Sequence, residues 1–369
     1  MHYKEYGATG CRVSAIGFGG MRFLEEDVKS GNLEACAEVV RYAHEKGINY
    51  FDTAPSYCDD KSEDIMGLAL SKLPRESYFI STKTNFYQID NPATEAGFFH
   101  RLETSLKRLR VDYIDFYHLW CMLSLTQYRK QCDTLYGYFL KAKEQGMIRH
   151  IVFSSHMPGN ELEQVISEGL FEGMLIGYNA LNYRYRISGL AAAHKRNMGV
   201  VVMNPLGGGV IPKNPQLFSF LTEGTAFNPA QAALRFVAGH REVSTALNGI
   251  TTREQVDEAV SAMEGLEERP AAAQAGLLPA SGGGQNALCT GCGYCDSCPT
   301  GVPIPKLMDA YNQKLLDNRN PTSRLQTQWA LKPDAALACI ACGQCEGLCT
   351  QHLPIIERLR EIQTYASAR

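Results

Sequence analysis

Short apolar runs alternate with amphipathic stretches over roughly the first 265 of the 369 residues. The runs predict buried strands at 15–21, 49–54, 78–83, 113–119, 150–155, 174–179, 200–205 and 244–250. Between them, apolar residues recur three or four positions apart and predict helices, among them 33–46, 94–109, 127–144 and 229–239. Strands that alternate with helices indicate a parallel sheet covered by its crossover helices.

The number of repeats favours one α/β architecture. Eight strand–helix repeats in some 250 residues are typical of a (β/α)8 TIM barrel, whereas a doubly wound open sheet, the alternative, would usually need fewer strands. Ahead of the first repeat, residues 3–14 carry a Gly-Ala-Thr-Gly turn. This segment predicts a short hairpin that closes the floor of the barrel.

Eight of the thirteen cysteines lie in the last eighty-one residues, in two sets of four. The first set is Cys289, Cys292, Cys295 and Cys298, and the second is Cys339, Cys342, Cys345 and Cys349. The second set has the C-x2-C-x2-C-x3-C spacing of bacterial ferredoxins, and the first is one residue shorter before its fourth cysteine. This spacing predicts two [4Fe-4S] clusters. Two zinc sites of four thiolates each are the alternative.

Composition changes near residue 266. Residues 266–285 are rich in Ala, Pro and Gly and predict a linker between a barrel domain, 1–265, and a small, α-helical, ferredoxin-like domain, 286–369. Inside the second domain, 305–316 and 355–368 predict helices.

Charge and hydropathy limit which classes of partner and which cellular compartment we expect. A net charge of −3 favours neither nucleic acid nor an anionic membrane as a partner. The N-terminus is polar, and no run approaches the roughly 18 apolar residues of a membrane span. We therefore expect a cytoplasmic protein whose clustered cysteines bind metal and do not form disulfides.

Four polar residues fall at or just after the ends of consecutive predicted strands: Asp52, Tyr57, Lys83 and His118. Each alone has an ordinary structural explanation as a cap, a packed ring, a solvated charge or a core group. Together they lie on the barrel face where active sites form. A tyrosine near an ammonium becomes a better proton donor, as reduction of a carbonyl requires. Asp52 would hold Lys83, and His118 would orient the substrate.

Other side chains near these strand ends have less specific roles. Trp120 is expected as a pocket wall. Cys58 and Cys121 either pack as small apolar groups, line the pocket or react with electrophiles, whereas Cys11, Cys36 and Cys132 are expected to pack.

Five segments, in order, resemble the motifs of the aldo-keto reductase family. They are Phe-Asp-Thr-Ala-Pro-Ser-Tyr at 51–57, Ser-Thr-Lys-Thr at 81–84, Asp-Phe-Tyr-His-Leu at 115–119, Met-Asn-Pro-Leu-Gly-Gly-Gly at 203–209 and the segment 248–256. The resemblance covers about residues 3–263. With its cysteine tail, the chain is similar to a branch that carries a C-terminal ferredoxin-like domain.

The resemblance implies a barrel that binds NADP(H) or NAD(H) and reduces a small carbonyl compound or oxidises an alcohol. It implies Tyr57 as general acid, Lys83 and Asp52 as the groups that tune it, and His118 as the group that orients the substrate. The nucleotide contacts it implies are Gly20, Met21, Ser154, Ser155, Asn179, Pro205, Leu206, Gly207, Gly249, Thr251, Arg253, Gln255 and Glu258.

In two-cluster ferredoxins the fourth cysteine of each motif binds the other cluster. We therefore expect Cys349 to complete the first set and Cys298 to complete the second. A nicotinamide transfers two electrons together and each cluster transfers one. The clusters thus either shape the fold or serve a redox protein partner. Two further hypotheses are an iron–sulfur electron-transfer protein whose barrel binds a nucleotide or a partner, and a non-catalytic nucleotide-responsive scaffold.

Overall fold

The computed structural model describes residues 1–86, 89, 93–275, 288–317 and 320–365. The chain divides into two compact units. One unit comprises Met1–Leu206 and Leu221–Leu277, and the other comprises Gly207–Phe220 and Leu278–Arg369. The second half of the predicted linker, 276–285, lies outside the described residues, and a short helix, Ala271–Ala275, occupies part of its first half.

Eight parallel strands of the first unit form a closed barrel, β3 to β10, in which β10 pairs with β3. The strands of this unit are β1 Tyr3–Glu5, β2 Arg12–Ser14, β3 Ile16–Gly19, β4 Tyr50–Asp52, β5 Phe79–Thr84, β6 Ile114–Met122, β7 Ile148–Ser155, β8 Gly173–Gly177, β9 Gly199–Met203 and β10 Thr245–Gly249. Each predicted apolar run overlaps one barrel strand. The TIM-barrel prediction is confirmed, and the open-sheet alternative is wrong.

Each of the four amphipathic stretches predicted as a helix overlaps an observed helix, and this part of the chain contains further helices as well. Their bounds are α1 Glu25–Ser30, α2 Leu33–Glu45, α3 Ser62–Leu70, α4 Glu95–Leu109, α5 Leu125–Glu144, α6 Gly159–Ser167, α7 Tyr183–Lys195, α8 Val210–Lys213, α9 Ser219–Thr222, α10 Pro229–Ala238, α11 Arg253–Ser261 and α12 Ala271–Ala275. Local chemistry sets several starts: Thr94 accepts a hydrogen bond from the Gly97 N–H, and Asn228 forms a capping box with Gln231.

The predicted hairpin forms, with β1 and β2 antiparallel and Tyr3 opposite Ser14. Between these strands Tyr6 is fully buried and stacks against the strand aromatics at the barrel floor, with its ring centroid 4.2 Å from that of Phe116. A β-carbon added to Gly199 would lie 2.1 Å from the Tyr6 ring. Glycine at the start of β9 therefore provides the space that this ring fills.

The cysteine-bearing unit packs its own core. Its helices are α13 Ile304–Asp317, α14 Thr322–Trp329, α15 Gln344–Gly347 and α16 Ile355–Thr364, besides α8, and the boundary after Phe220 falls within α9. Both helices predicted in this region are present, although residues 366–368 of the second prediction lie outside the described part of the chain. Leu307, Leu325, Leu359 and Ile362 are fully buried together. No helix among the described residues is long and apolar enough to cross a membrane.

Candidate active site and cluster-binding cysteines

Three of the four residues at the strand ends come from adjacent strands. Asp52 ends β4, Lys83 is the fifth residue of β5, and His118 lies in β6. Asp52 is in register with Ser81, and Lys83 is in register with His118. Because parallel strands end on the same side of a barrel, these side chains meet at its C-terminal end.

Lys83 and Asp52 form a buried ion pair. The Lys83 Nζ lies 2.7 Å from each carboxylate oxygen of Asp52 and donates a further hydrogen bond to the Thr53 carbonyl at 2.6 Å. The lysine is 0% exposed and the aspartate 4%. Burial lowers the pKa of Lys83, and the Asp52 carboxylate opposes that shift. The three acceptors match the three N–H groups of the ammonium, so its orientation is fixed.

Ser81 connects this ion pair to His118, a role that we did not predict. Its Oγ donates to Asp52 Oδ1 at 2.7 Å and lies 3.0 Å from His118 Nε2. Because the serine proton is used on the carboxylate, Nε2–H of the histidine is the donor in the second bond. The signal was its place two residues before Lys83, since residues i and i+2 of a strand share a face.

His118 is held as a neutral imidazole. Burial and the nearby Lys83 charge lower the pKa of His118 well below its usual value, although the backbone of Phe153 opposes the shift. The ring therefore serves as a hydrogen-bonding group that carries no positive charge near neutral pH.

Tyr57 lies on a loop with an unusual backbone. Four non-glycine residues have positive φ: Ser56, Cys58, Asp59 and Asp60, at 52° to 68°. Such conformations are costly and are concentrated at functional sites. The Arg108 guanidinium stabilises the loop, because its two terminal nitrogens each lie 2.7 Å from one Asp60 carboxylate oxygen. Asp60 Oδ1 also accepts from the Ser56 N–H at 3.1 Å.

The ring of Tyr57 lies between the ion pair and an aromatic wall. Lys83 Nζ is 5.5 Å from the Tyr57 ring centroid, and the Trp120 ring meets Tyr57 edge to face at 5.7 Å. Trp120 lies within an irregularity of β6 between Leu119 and Met122, where Cys121 has positive φ. Such a bulge redirects side chains at the end of a strand.

A second buried carboxylate, Glu63, lies behind the site and was also missed. It is 1% exposed, accepts from Thr82 Oγ1 at 2.8 Å and pairs with Arg101 at 3.1 Å. Arg108 Nη1 is 3.9 Å from the same carboxylate. Arg108 therefore links Glu63 to the loop that carries Tyr57.

Four of the predicted nucleotide contacts lie at the ends of β3 and β7, the strands that pair with β4 and β6 of the candidate site. Gly20 and Met21 follow β3, and the Gly20 N–H donates to the Asp52 carbonyl at 2.7 Å. Ser154 and Ser155 end β7 and are buried. Ser155 Oγ donates to the Met122 carbonyl at 3.1 Å, so this hydroxyl also ties β7 to β6.

Asn179 follows β8 and organises its own loop. Its Oδ1 accepts from the N–H groups of Leu181 and Asn182, and its Nδ2 donates to the Asn204 carbonyl at 2.8 Å. Its side chain therefore holds together the loops that follow β8 and β9.

The predicted pyrophosphate and adenosine contacts fall in two segments. Pro205 and Leu206 follow β9 in the barrel unit, and Gly207 begins the segment that belongs to the other unit. The adenosine set follows β10 on α11, where Gln255 accepts from the Thr251 N–H and Arg253 lies 3.4 Å from Glu38. The remaining members of this set are Gly249 and Glu258, the latter paired with Asn228 at 2.6 Å.

The eight clustered cysteines line two cavities in the second unit. The smaller cavity is lined by Cys289, Cys292, Cys295 and Cys349. The larger cavity is lined by Cys298, Cys339, Cys342 and Cys345, and Cys295 also borders it. Each fourth cysteine thus lies with the other set. Among the described residues, no three His, Cys, Asp or Glu side chains converge as ligands of a single metal ion.

Polar neighbours surround the thiols of the smaller cavity. The Gly291 N–H lies 3.5 Å from the Cys289 sulfur, and Thr350 Oγ1 lies 3.4 Å from the Cys292 sulfur. Burial raises the pKa of Cys289 and of Cys295 to about 12. A metal centre would bind their thiolate forms, whose sulfurs such donors stabilise.

Comparison with known proteins identifies both regions. The model of the aldo/keto reductase family matches residues 15–268, and a model described as a 4Fe-4S dicluster domain matches residues 288–353. L-galactose dehydrogenase from Arabidopsis thaliana is 27% identical over 285 residues, which cover 72% of this chain and 88% of that protein. The NADH-specific methylglyoxal reductase of Escherichia coli is 25% identical over 221 residues, 56% of this chain and 67% of that protein.

A solved structure has the same fold. The holo form of the aldo-keto reductase AKR11C1 from Bacillus halodurans superposes with a TM-score of 0.64 at 23% identity, covering 76% of this chain and 97% of that one. The barrel and the matched residues lead to one conclusion: the chain is an oxidoreductase that belongs to the aldo/keto reductase family and carries a 4Fe-4S domain at its C-terminal end.

Proposed function

We propose that the protein reduces a small aldehyde or ketone, or oxidises the corresponding alcohol, with NADP(H) or NAD(H) at the C-terminal end of the barrel. The observation that carries this proposal is the buried Lys83–Asp52 pair next to the Tyr57 ring. A lysine without exposure is costly to maintain unless its charge is used or compensated.

Tyr57 is the general acid in the proposed reaction. Negative charge grows on the carbonyl oxygen during reduction, and the tyrosine hydroxyl donates the proton that this oxygen needs. Lys83 stabilises the phenolate that remains, and Asp52 holds the ammonium in place. In the reverse direction the same phenolate accepts the proton of the alcohol.

His118 and Trp120 shape the place of the substrate. The low pKa of His118 keeps its imidazole neutral, so Nε2–H is the one donor of the ring, and a substrate oxygen would share this donor with Ser81 Oγ. Ser81 fixes the ring of the histidine. The Trp120 ring supplies an apolar wall, which suits the carbon skeleton of a small carbonyl compound.

The proposed nucleotide contacts suit a dinucleotide in their chemistry. Gly207, Gly208 and Gly209 have positive φ, and a backbone without side chains permits close approach of a pyrophosphate. Arg253 is an exposed cation on the adenosine side. When bound, the nicotinamide supplies or accepts the hydride; we propose that Ser154, Ser155 and the residues after β3 orient it.

The test is the Tyr57→Phe variant, assayed anaerobically for NADPH or NADH consumption with a panel of small aldehydes and ketones. Loss of the general acid should lower kcat by two orders of magnitude or more, within the range of general-acid contributions. Tyr136→Phe is the matched control, because it removes a hydroxyl bonded only to the Leu170 carbonyl on outer helix α5. Unchanged carbonyl reduction in Tyr57→Phe would favour the alternative, an electron-transfer protein whose barrel binds a nucleotide or a redox partner.

We also propose two [4Fe-4S] clusters, one on Cys289, Cys292, Cys295 and Cys349 and one on Cys298, Cys339, Cys342 and Cys345. The grouping of these thiols around two cavities supports two metal centres, and the three-residue spacing of the cysteines favours clusters over zinc. We favour electron exchange with a redox protein partner over a purely structural role. The second set of cysteines supports this preference, because Cys342 is exposed and the neighbouring Ile340 is 65% exposed.

Iron, sulfide and zinc analysis of anaerobically purified protein tests the cluster proposal. Cys349→Ser should disturb the cluster of the first motif, and Cys298→Ser that of the second, as seen by electron paramagnetic resonance of the reduced protein. Zinc without sulfide would contradict the assignment. Thiolate ligation of the clusters needs reduced cysteines, which supports a cytoplasmic location, and we propose domain boundaries at 1–265 and 286–369.

A further inference from the structure

A thiol, an imidazole and a carboxylate form a line at the end of the barrel opposite the candidate active site. The Cys11 sulfur lies 3.6 Å from His150 Nε2, and His150 Nδ1 lies 2.8 Å from Glu172 Oε2. Cys11 precedes β2 in the floor hairpin, His150 is near the start of β7, and Glu172 immediately precedes β8.

The carboxylate end of this line is fixed by two further bonds. Glu172 Oε1 accepts from the Ile151 N–H at 3.0 Å and from Lys143 Nζ at 2.6 Å. An ionised carboxylate only accepts, so His150 Nδ1 carries a proton. The other ring nitrogen, Nε2, therefore faces the Cys11 sulfur at a distance that allows a proton to pass between the two groups.

The electrostatics agree with this geometry. Burial alone would lower the pKa of His150, but its hydrogen bonds to Cys11 and Glu172 outweigh that effect and raise it to about 9. Burial would raise the pKa of Glu172, but its bonds to His150 and Lys143 lower it to about 2. The imidazole also stacks on the Phe116 ring at 5.1 Å.

Two more titratable groups face the line. Asp115, paired with Arg75 at 2.6 Å, interacts with His150 and favours its charged form. Tyr6 is fully buried beside Cys11, and its raised pKa keeps it neutral. Neither group removes the positive charge from His150, and the negative charge of Asp115 reinforces it.

Three other cysteines of the barrel have a different environment. Cys36 and Cys132 are buried, and burial raises the pKa of both. Cys58 is half-buried like Cys11, but its sulfur faces the carbonyl oxygens of Gly20 and Met21, and burial raises its pKa. We expected Cys11 to pack as a small apolar group. That expectation did not include its hydrogen bond to His150.

We propose that Cys11 is a reactive thiol that forms mixed disulfides with small disulfide molecules, with His150 as its base and Glu172 as the group that orients His150. The Cys11 thiolate attacks one sulfur of the small disulfide, a new S–S bond forms, and the old S–S bond breaks. The departing thiolate takes a proton from the imidazolium. Cys11 is oxidised and the small disulfide is reduced, so the exchange balances without another reagent.

The experiment uses anaerobically purified holoprotein and substoichiometric 4,4′-dithiodipyridine, with thiopyridone release as the rate and peptide mass mapping as the location. Only a few per cent of an ordinary thiol is thiolate at pH 7, so pairing with His150 should accelerate Cys11 by about tenfold relative to Cys58. The Cys11 rate should change little between pH 6.5 and 8.5, whereas that of Cys58 should rise steeply.

Variants separate this proposal from simple exposure of the thiol. Cys11→Ser should remove the fast phase, and His150→Gln should slow it about tenfold and restore a steep pH dependence. His194→Gln, on the last turn of α7, is the control and should change neither. Equal labelling of Cys11 and Cys58, or a fast phase that survives His150→Gln, would overturn the proposal. Carbonyl reduction is measured in parallel, because its presence or loss bears on the other end of the barrel.

Discussion

Lys83 shows how strongly the proposed active site depends on single residues. Its ammonium has no exposure, and its stability depends on three acceptors within 2.7 Å, two from Asp52 and one from Thr53. Removing one partner of such a buried pair costs about 3–5 kcal/mol, because the other charge is left uncompensated. Tests of the site are therefore cleaner at the neighbours of the pair than at the pair itself.

Ser81→Ala is one such test. The change leaves Asp52 Oδ1 and His118 Nε2 each without one hydrogen bond, at about 1–3 kcal/mol per buried group. We expect kcat for carbonyl reduction to fall about tenfold, with Ser81→Thr restoring most of it. Ser244→Ala is the control, because it also removes a buried hydroxyl with two hydrogen bonds but lies at the start of β10. Equal kcat values for Ser81→Ala and the unmodified protein would exclude a positioning role for Ser81.

A second prediction concerns His150 and pH. Its folded pKa of about 9 exceeds its ordinary value of 6.5, so folding favours its protonated form. The resulting stability is fully present below pH 6.5 and is lost as pH rises through about 9. One pKa unit corresponds to about 1.4 kcal/mol, so at low pH His150→Gln should lower the free energy of unfolding by at most about 3 kcal/mol. Thermal unfolding of both proteins at pH 6 and pH 9.5 measures it, and a constant difference would contradict the assignment.

For single residues, the sequence predicts which ones lie at the site better than it predicts the contacts that they make there. Asp52, Lys83 and His118 could be placed together because each ends or lies near the end of a predicted strand. The roles of Ser81, Glu63 and the Cys11–His150 pair depend on which hydroxyl, carboxylate or thiol faces which neighbour. Hydrophobic periodicity does not encode those pairings.

Among the elements, glycines mark where backbones approach most closely. Gly208 has φ +67°, and a β-carbon there would lie 1.8 Å from the Thr290 carbonyl oxygen, in the loop that carries Cys289. Both residues belong to the cysteine-bearing unit. The glycine-rich segment after β9 therefore has a packing role inside that unit, besides the pyrophosphate role proposed for Gly207.

Gly208→Ala tests this packing. Because its new methyl group meets backbone, we expect the variant to release iron several times faster under a chelator than the unmodified protein. Gly209→Ala is the matched control: its φ is +89°, but the nearest atoms are 3.8 Å away on the flexible Lys213 side chain. That control carries only the cost of a left-handed alanine, about 1–2 kcal/mol. Equal iron release by the two variants would show that the close approach is unimportant.

The strands and long helices follow from apolar periodicity, and their predicted ranges overlap those observed. Apolar periodicity does not predict the short helices α8 and α9. It also does not predict that Gly207–Phe220 associates with the cysteine-bearing unit. Four-residue helices carry too few apolar positions to show a period, and the association rests on backbone contacts such as that of Gly208 with Thr290.

For the whole molecule, two kinds of redox chemistry occur in one chain. The nicotinamide transfers two electrons as a hydride, and each iron–sulfur cluster transfers one. The described residues supply a proton donor and an orienting group for the first, and cysteine-lined cavities for the second. Composition and motifs indicated both parts, but no sequence pattern states whether they exchange electrons.

We predict that the two chemistries are separate in the isolated protein. NADPH or NADH added anaerobically to the holoprotein should leave the visible absorbance of the clusters unchanged, because a hydride donor is poorly matched to one-electron acceptors. Dithionite is the control and should bleach the same band. Bleaching by the nicotinamide alone would contradict this prediction and would show that another cofactor relays electrons between the nicotinamide and the clusters.

The most direct test of the central claim follows the transferred hydrogen. Holoprotein is supplied with NADPH or NADH deuterated at the reactive position and a carbonyl compound that it consumes, and the alcohol is analysed by mass spectrometry. We expect one deuterium on the former carbonyl carbon. Tyr57→Phe should form this labelled alcohol at least a hundredfold more slowly than Tyr136→Phe. Alcohol without the label, or equal rates in the two variants, would contradict carbonyl reduction with Tyr57 as the acid.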